Sequence, residues 1–168
     1  MTSKLKVEQI AHTNNVSAMT INSSGVVNRS VIPAWRVSLS SQESRSATTE
    51  AVIQFDETSN NFYFLQGGCT LGSGAITVPV AGIYHASANV RVDSIGSGFV
   101  VVRIRVNGTN AGSTYTIYGT GSTLYDSFTP SDTFSLSAND TLEVTAYASV
   151  DTSWTVHGVS SFSGHLVG

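Results

Sequence analysis

Charged residues are scarce in this sequence. They make up 11% of its 168 residues, whereas an ordinary soluble domain carries about 25%. Eight Lys and Arg stand against eleven Asp and Glu, which gives a formal net charge of −3. Nucleic-acid binding through bulk positive charge is therefore excluded. Disorder is excluded too, because 40% of the residues are hydrophobic and disordered chains combine low hydrophobicity with high net charge.

Cysteine and long apolar runs are also nearly absent. Cys69 is the single cysteine, which excludes a disulfide-stapled secreted scaffold. The N-terminus lacks the apolar segment of a signal peptide, and no run approaches the roughly 20 apolar residues of a membrane-spanning helix. We therefore expect a protein without membrane insertion that is made in a cytoplasm and either stays there or leaves by a route that needs no signal, such as cell lysis.

Catalytic and metal-binding patterns are missing as well. The sequence has no His-Glu-x-x-His, Cys-x-x-Cys or Gly-x-Ser-x-Gly motif. Its histidines are scattered, and His85 is interpreted as a surface or interface residue. The acidic residues do not follow a calcium-ligand spacing such as that of the EF-hand, so calcium stays an unsupported option. The sequence predicts no enzyme, no catalytic residues, no metal site and no cofactor.

Short alternating runs of Val, Ile, Thr, Tyr and Phe are abundant, and Gly, Ser, Asn and Asp separate them. No window shows a convincing helical period. From Ala34 onward the runs recur about every 8–12 residues, which is typical of β-sandwiches. Val100 to Val106 alternate strictly, and Asn107-Gly108 follows as a strong hairpin signal. These patterns predict an all-β jelly-roll sandwich.

Residues 1–32 differ from the rest and are predicted to form an N-terminal attachment segment. Two short runs flank the turn-rich sequence Asn22–Gly25, which indicates a hairpin. The piece is too small to hold a core of its own. A flexible tail is the alternative; we favour a segment that folds on a partner or on sister subunits, before a head domain at 33–168. Its candidate attachment residues are Leu5, Val7, Ile10 and Ile21.

The aromatic content indicates assembly. One small sandwich is not expected to bury all six Tyr and both Trp in its centre, and aromatic residues are enriched in the buried cores of interfaces. The alternative is an ordinary core with scattered surface aromatics. Low charge favours a homo-oligomer. The candidate core or intersubunit aromatics are Trp35, Phe55, Tyr84, Tyr147 and Phe162.

Several segments between Pro33 and Gly168 follow the pattern of one known family. Phe162-Ser163-Gly164-His165-Leu166 matches a closing Phe-Ser-Gly-x-Leu strand, and Gly82-Ile83-Tyr84 matches the entry into a long central strand. Leu136–Val144 matches a Leu-x-x-Gly-Asp-x-Val segment, with Asn139 in place of Gly. This part resembles the globular head of complement component one q, in the tumour-necrosis-factor-like jelly-roll superfamily. The resemblance implies a jelly roll that forms compact homotrimers and binds ligands through loops or sides.

The N-terminal motifs have a resemblance of their own. Ser3–Ile10 is similar to the openings of tail-fibre and other virion proteins of marine and cyanobacterial phages. Ala18–Val27, followed by Pro33-Ala34-Trp35, resembles the segment that precedes the heads of such proteins. The resemblance implies a virion structural protein that assembles in the host cytoplasm. Residues 1–32 would dock on other virion proteins, with the head outward as a trimeric short fibre or knob.

The expected function is binding of a host-surface glycan or protein. Polar, Gly-rich stretches at 93–98, 107–113 and 118–122 are predicted to be exposed recognition loops. A capsid decoration or cement protein is the main alternative. A cellular complement-like recognition module is disfavoured by the absence of collagen-like repeats and of a signal peptide. The candidate recognition residues are Asp93, Ser97, Asn107, Asn110, Tyr118 and Ser122.

Overall fold

The structure, a computed structural model, describes residues 9–11, 17–29, 32–46, 48–59, 61–149 and 153–168. For 17–18, 28–29, 94–97 and 111–124 it describes the backbone alone. Within these ranges the chain forms fifteen β-strands and no α-helix. The prediction of an all-β chain is confirmed. The same ranges contain no helix with the length and apolar character needed to cross a membrane.

The chain divides into two compact units after Ile32. The first contains β1 (Gln9–Ala11), β2 (Ser17–Ile21) and β3 (Val27–Arg29), which pair antiparallel in the order β1-β2-β3. The predicted hairpin between β2 and β3 is present. Asn22 Oδ1 accepts hydrogen bonds from the N–H groups of Ser24 and Val26, at 3.0 and 2.9 Å. This side chain therefore holds the turn by the mechanism typical of Asn in tight turns.

The second unit, Pro33–Gly168, contains the remaining twelve strands of the described ranges. The early strands are short: β4 (Ala34–Ser38), β5 (Glu43–Arg45), β6 (Ala51–Val52), β7 (Phe64–Gln66), β8 (Thr70–Gly72) and β9 (Ala75–Thr77). Two long strands follow, β10 (Gly82–Val106) and β11 (Thr109–Phe128). The last four are β12 (Ser131–Leu136), β13 (Thr141–Ser149), β14 (Trp154–Val156) and β15 (Ser161–Leu166).

The long strand β10 belongs to both layers of a sandwich. Its first part pairs with β15 and β12, and β15 continues through β4 to β7. We call this layer, β7-β4-β15-β10-β12, the first sheet. The last part of β10 pairs with β13 and β11, and β13 also pairs with β6 and β9. We call this layer the second sheet. It also includes β8, which pairs with β9, and β14, which pairs with β10 near Val92. Strand β5 pairs with β14 in turn.

The core lies between the inner faces of the two sheets. In β10, Val100, Val102 and Ile104 are fully buried, as their alternation in the sequence predicts. The hairpin after β10 turns at Asn107 and Gly108, whose φ angles are 50° and 73°, as a two-residue turn of the primed type requires. The largest fully buried side chains are Trp35, Trp154, Tyr84, Phe55, Phe128 and Phe162.

The prediction of loops at 93–98 and 118–122 is wrong. Both stretches lie inside strands, β10 and β11, which pair from Val90↔Phe128 to Val106↔Thr109. Of the stretch 107–113, only Asn107 and Gly108 form a turn. The pairing shifts register near Val92 and Ile95, and such bulges let a strand accommodate glycine and polar residues that would otherwise favour a turn.

Candidate functional site

The outer face of the first sheet is a continuous surface built from five strands. Directly opposed residues of antiparallel strands point to the same side, so the register defines its rows. We call these residues the neutral face. Its rows are Ser38, Ser161 and Asn89; Phe64, Arg36, Ser163, Ser87 and Ser131; Gln66, Ala34, His165, His85 and Thr133; and Val167, Ile83 and Ser135.

Two Arg, Lys, Asp or Glu side chains lie on the neutral face, all of whose residues the structure describes: Arg36, and Glu57, which is directly opposed to Ser38 and extends its row. The guanidinium carbon of Arg36 lies 5.9 Å from the ring centroid of Tyr63. At one border of the face, the main-chain oxygen of Gly168 accepts a hydrogen bond from Ile83 N at 2.8 Å. The centre of the face consists of small hydroxyl side chains and imidazoles.

Three exposed apolar side chains belong to this face. Seven large hydrophobic residues are exposed in the described part of residues 33–168: Phe62, Phe64, Val80, Ile83, Tyr125, Val159 and Val167. Phe64, Ile83 and Val167 belong to the neutral face, with exposed fractions of 42%, 40% and 61%. A surface with few charges and exposed apolar groups has the composition of the core of a protein interface.

The outer surface of the second sheet carries charges that are already paired. Glu50 Oε1 accepts hydrogen bonds from Arg103 Nη1 at 2.9 Å and from the buried Thr145 Oγ1 at 2.7 Å. Burial raises the pKa of Glu50, but the hydrogen bonds from Thr145 and Arg103 outweigh it, and the net result is a lowered pKa. Further ion pairs join Arg105 to Glu143, Arg91 to Asp93 and Arg45 to Glu43.

A known structure has a similar fold. The globular domain of zebrafish complement 1qA protein matches with a TM-score of 0.58 at 14% sequence identity, over 81% of this chain and 98% of that chain. The fold is a complement 1q-like jelly roll. The fold prediction is therefore confirmed, and a likeness at this identity shows the fold alone. No protein-family model matches the sequence, and a search of curated proteins finds no match.

The predicted aromatic residues occupy two different places in the jelly roll. Trp35, Phe55, Tyr84 and Phe162 lie in the core of a single copy, each at most 2% exposed. Their rings contact one another: Phe162 lies 5.6 Å from Trp35 and 6.0 Å from Phe55, between centroids. Tyr147 is half-buried on the second sheet, 5.8 Å from Phe99. The four core rings therefore stabilise the fold and are not available for contacts between copies.

The predicted recognition residues do not gather into one cluster of the jelly roll. Asp93 is half-buried in its ion pair with Arg91, at 3.0 Å. Asn107 Nδ2 donates to Asp140 Oδ1 at 2.9 Å and its Oδ1 accepts from Thr141 N at 2.8 Å, and the pKa of Asp140 is lowered by the bond from Asn107. Asn110 is exposed beside the same turn. The side chains of Ser97, Tyr118 and Ser122 lie outside the described part.

The predicted attachment residues fall in the first unit, which is described separately. Ile10 and Ile21 lie in β1 and β2 and are 50% and 37% exposed. Leu5 and Val7 lie outside the described residues. Two apolar side chains of the attachment set are therefore accessible to a partner.

The single cysteine lies in surroundings that disfavour its thiolate form. Cys69 is 6% exposed, and burial raises the pKa of its thiol to about 11. Such a thiol is protonated at neutral pH, whereas a nucleophilic cysteine needs a lowered pKa. Among the described residues, no group of three or more His, Cys, Asp and Glu side chains is arranged to hold a metal ion.

Proposed function

We propose that this chain is a non-enzymatic structural protein of a phage particle whose jelly-roll head assembles into a homotrimer through the neutral face. The observation that carries the assembly is the composition of that face. It presents hydroxyl groups, imidazoles and exposed apolar side chains, with Arg36 and Glu57 as its only Arg, Lys, Asp or Glu residues, one of each sign. Equivalent faces of several copies can therefore approach without strong charge repulsion.

The occupant of this face is argued to be a second copy of the chain. Soluble oligomers are mostly symmetric assemblies of identical chains. In a threefold assembly each copy meets its neighbours through different parts of this face, and Arg36 and Glu57 are its only charged side chains. A partner of high charge would leave its own groups unpaired on such a surface, at a cost in desolvation. The second sheet pairs its charges internally, for example Arg103 with Glu50, and offers water a polar surface.

The place in a phage particle is supported by the N-terminal motifs, which resemble those of phage virion proteins. The contacts of the chain separate residues 1–32 from the head. In this proposal residues 1–32 dock on other virion proteins during assembly in the host cytoplasm. The head then faces outward and binds a host-surface glycan or protein.

Assembly is tested by sedimentation velocity of the full chain at micromolar concentration. We expect a trimer for the natural sequence and a monomer for Ser87→Glu, because Ser87 lies mid-face between Ser163 and Ser131. Ser44→Glu is the matched control on an exposed position of β5 and should remain trimeric. Near-UV circular dichroism verifies that each variant is folded. A monomeric natural protein, or a trimeric Ser87→Glu variant, would contradict the proposal.

The virion role is tested on particles. A chain that lacks residues 1–32 should fold and assemble but fail to attach to particles that are missing the natural protein. Attachment by the truncated chain would show that the anchor lies elsewhere. The copy number per particle, measured by quantitative mass spectrometry, then separates a tail fibre, with a few tens of copies or fewer, from a capsid decoration protein, with hundreds.

A further inference from the structure

Two histidines occupy the middle of the neutral face. His85 of β10 and His165 of β15 are directly opposed in the register, and their ring centroids lie 6.0 Å apart at an interplanar angle of 62°. The His85 ring also contacts a hydroxyl of the neighbouring strand, since its Nε2 is 3.3 Å from Ser131 Oγ. His85 is half-buried and His165 is exposed.

The charged groups around this pair are few. Arg36 of β4 lies on the face opposite Ser163, two residues along β15 from His165. The strands β7 and β12 contribute Phe64, Gln66, Ser131, Thr133 and Ser135, none of which is ionised near neutral pH. Asp132 of β12 is opposed to the buried Ala86, so it belongs to the other side of the sheet, and its Oδ1 accepts from Thr133 N. Glu57 lies on the face opposite Ser38, two rows away from the histidines.

We infer that acidification dissociates the assembly of this protein, because protonation of His85 and His165 adds positive charge to a face that copies share. The inference rests on the self-association proposed above. Imidazoles gain their proton between about pH 5 and 8. On a free face water solvates the two imidazolium groups. In an interface the imidazolium groups lose that water. The Arg36 side chains and the protonated histidines of the other copies also carry positive charge, so they repel these groups.

The direction of the effect follows from linkage. Protons bind more favourably to the free face than to the shared one, so assembly releases protons. The dissociation constant of the assembly therefore rises as the pH falls from about 8 to about 5. Each copy contributes two imidazoles to the interface, and a trimer brings six together.

The experiment is sedimentation velocity of the full chain over a concentration series at pH 8.0, 7.0, 6.0 and 5.5, at constant ionic strength and with a chelator. We expect the apparent dissociation constant to rise at least tenfold between pH 8.0 and 5.5. The double variant His85→Gln, His165→Gln keeps polar side chains that do not titrate and should change less than threefold. His157→Gln is the matched control, because His157 lies after β14 and outside the neutral face, and it should behave like the natural protein.

Near-UV circular dichroism at each pH establishes that the dissociated species is folded. The single variant His165→Gln, at the more exposed of the two positions, gives an intermediate response and serves if the double variant fails to fold. A natural protein that assembles equally well at all four pH values overturns the pH inference and leaves the assembly intact. The same conclusion follows if the double variant retains the full pH response. A natural protein that is monomeric at pH 8.0 overturns the assembly itself.

Discussion

The outer faces of the two sheets differ in the kind of polar side chain that they carry. On the second sheet, Arg103 is bound to Glu50 and Arg105 lies 3.7 Å from Glu143, so the charges there are compensated within one copy. On the first sheet, hydroxyls and imidazoles replace charges, and Phe64, Ile83 and Val167 are exposed. Compensated charges keep a surface solvated. A surface of hydroxyls and imidazoles loses less free energy than an ionic one when water is removed from it, provided that these groups gain hydrogen bonds in the interface.

The difference extends to the inner sides of the sheets. The first sheet covers its part of the core with Trp35 and Phe162 and provides space for them with a glycine, Gly164, opposite Trp35. In the second sheet, β10 and β13 cover their part with small and β-branched residues, among them Val100, Val102 and Ala146, and the large rings of Trp154 and Phe128 lie on β14 and β11. The first sheet around Gly164 is therefore expected to be sensitive to added volume.

The largest effect is expected for Gly164→Ala. The new Cβ would lie 2.6 Å from the main-chain oxygen of His85 and closer still to the ring of Trp35, which a packed core cannot absorb without movement of the strand. We expect the free energy of unfolding to fall by about 3 kcal/mol. Urea denaturation measures it.

Gly72→Ala is the matched control on β8 of the second sheet, where a Cβ meets no heavy atom within 4 Å. Its free energy of unfolding should change by less than about 0.5 kcal/mol. Equal losses for the two glycines would show that their difference in surroundings does not determine stability.

The strands and their inner faces could be predicted from local pattern. Alternation in Val100–Val106 marks the buried positions, and Asn107-Gly108 marks the turn. The neutral face could not be predicted, because it requires that β15 lie between β4 and β10, which brings together residues as far apart in sequence as Arg36, Ser87 and Ser163. Alternation in Ser161–Leu166 places Ser163 and His165 on one side but does not indicate their neighbours.

The mistaken loops have a physical cause of the same kind. Glycine and serine near Ser97 and Thr120 favour turns locally, but these two residues are opposed in a long antiparallel pairing. The backbone hydrogen bonds of that pairing, together with its register shifts, override the local preference. Pairing between distant segments is not encoded in the composition of either one.

The two buried tryptophans provide the second test of the difference between the sheets. Both are 1% exposed. Trp154 Nε1 donates to the main-chain oxygen of Ser46 at 3.2 Å, whereas Trp35 Nε1 has no hydrogen-bond partner. Trp154→Phe removes side-chain volume and a hydrogen bond. Trp35→Phe removes side-chain volume and a buried polar atom that has no hydrogen bond to lose. We expect Trp154→Phe to destabilise more than Trp35→Phe by about 1 kcal/mol, measured by urea denaturation. An equal or reversed order contradicts this assignment.

The third test concerns the compensated charges of the second sheet. Glu50→Gln removes the ion pair with Arg103 and weakens the bond from Thr145, and should cost about 1 kcal/mol at pH 7. The folded pKa of Glu50 is lowered from its ordinary value of 4.5. Its stabilising contribution is therefore complete above that value and is lost as the pH falls through the folded pKa.

Urea denaturation at pH 7 and pH 3 checks this sign. The difference in stability between the natural protein and Glu50→Gln should shrink at pH 3. Glu143→Gln is the control, because Glu143 lies farther from its arginine, at 3.7 Å, and it should change stability less at pH 7. A difference for Glu50→Gln that is the same at both pH values would show that its ionisation is not the cause.

The smallest effect compares two arginine–tyrosine contacts, one at each face. Arg91 lies 4.5 Å from the ring centroid of Tyr125, and Arg36 lies 5.9 Å from that of Tyr63. Cation–π attraction falls with distance and is worth about 0.5–1 kcal/mol at exposed sites.

Double-mutant cycles to alanine in the Ser87→Glu background confine both measurements to single copies. Because the Arg91–Asp93 ion pair is lost in both arms that lack Arg91, it cancels from the coupling energy. We expect about 0.5 kcal/mol for Arg91–Tyr125 and less for Arg36–Tyr63. The reverse order would mean that the coupling energy of Arg36 with Tyr63 exceeds that of Arg91 with Tyr125. Arg36 would then already be fixed in place by Tyr63 before copies meet.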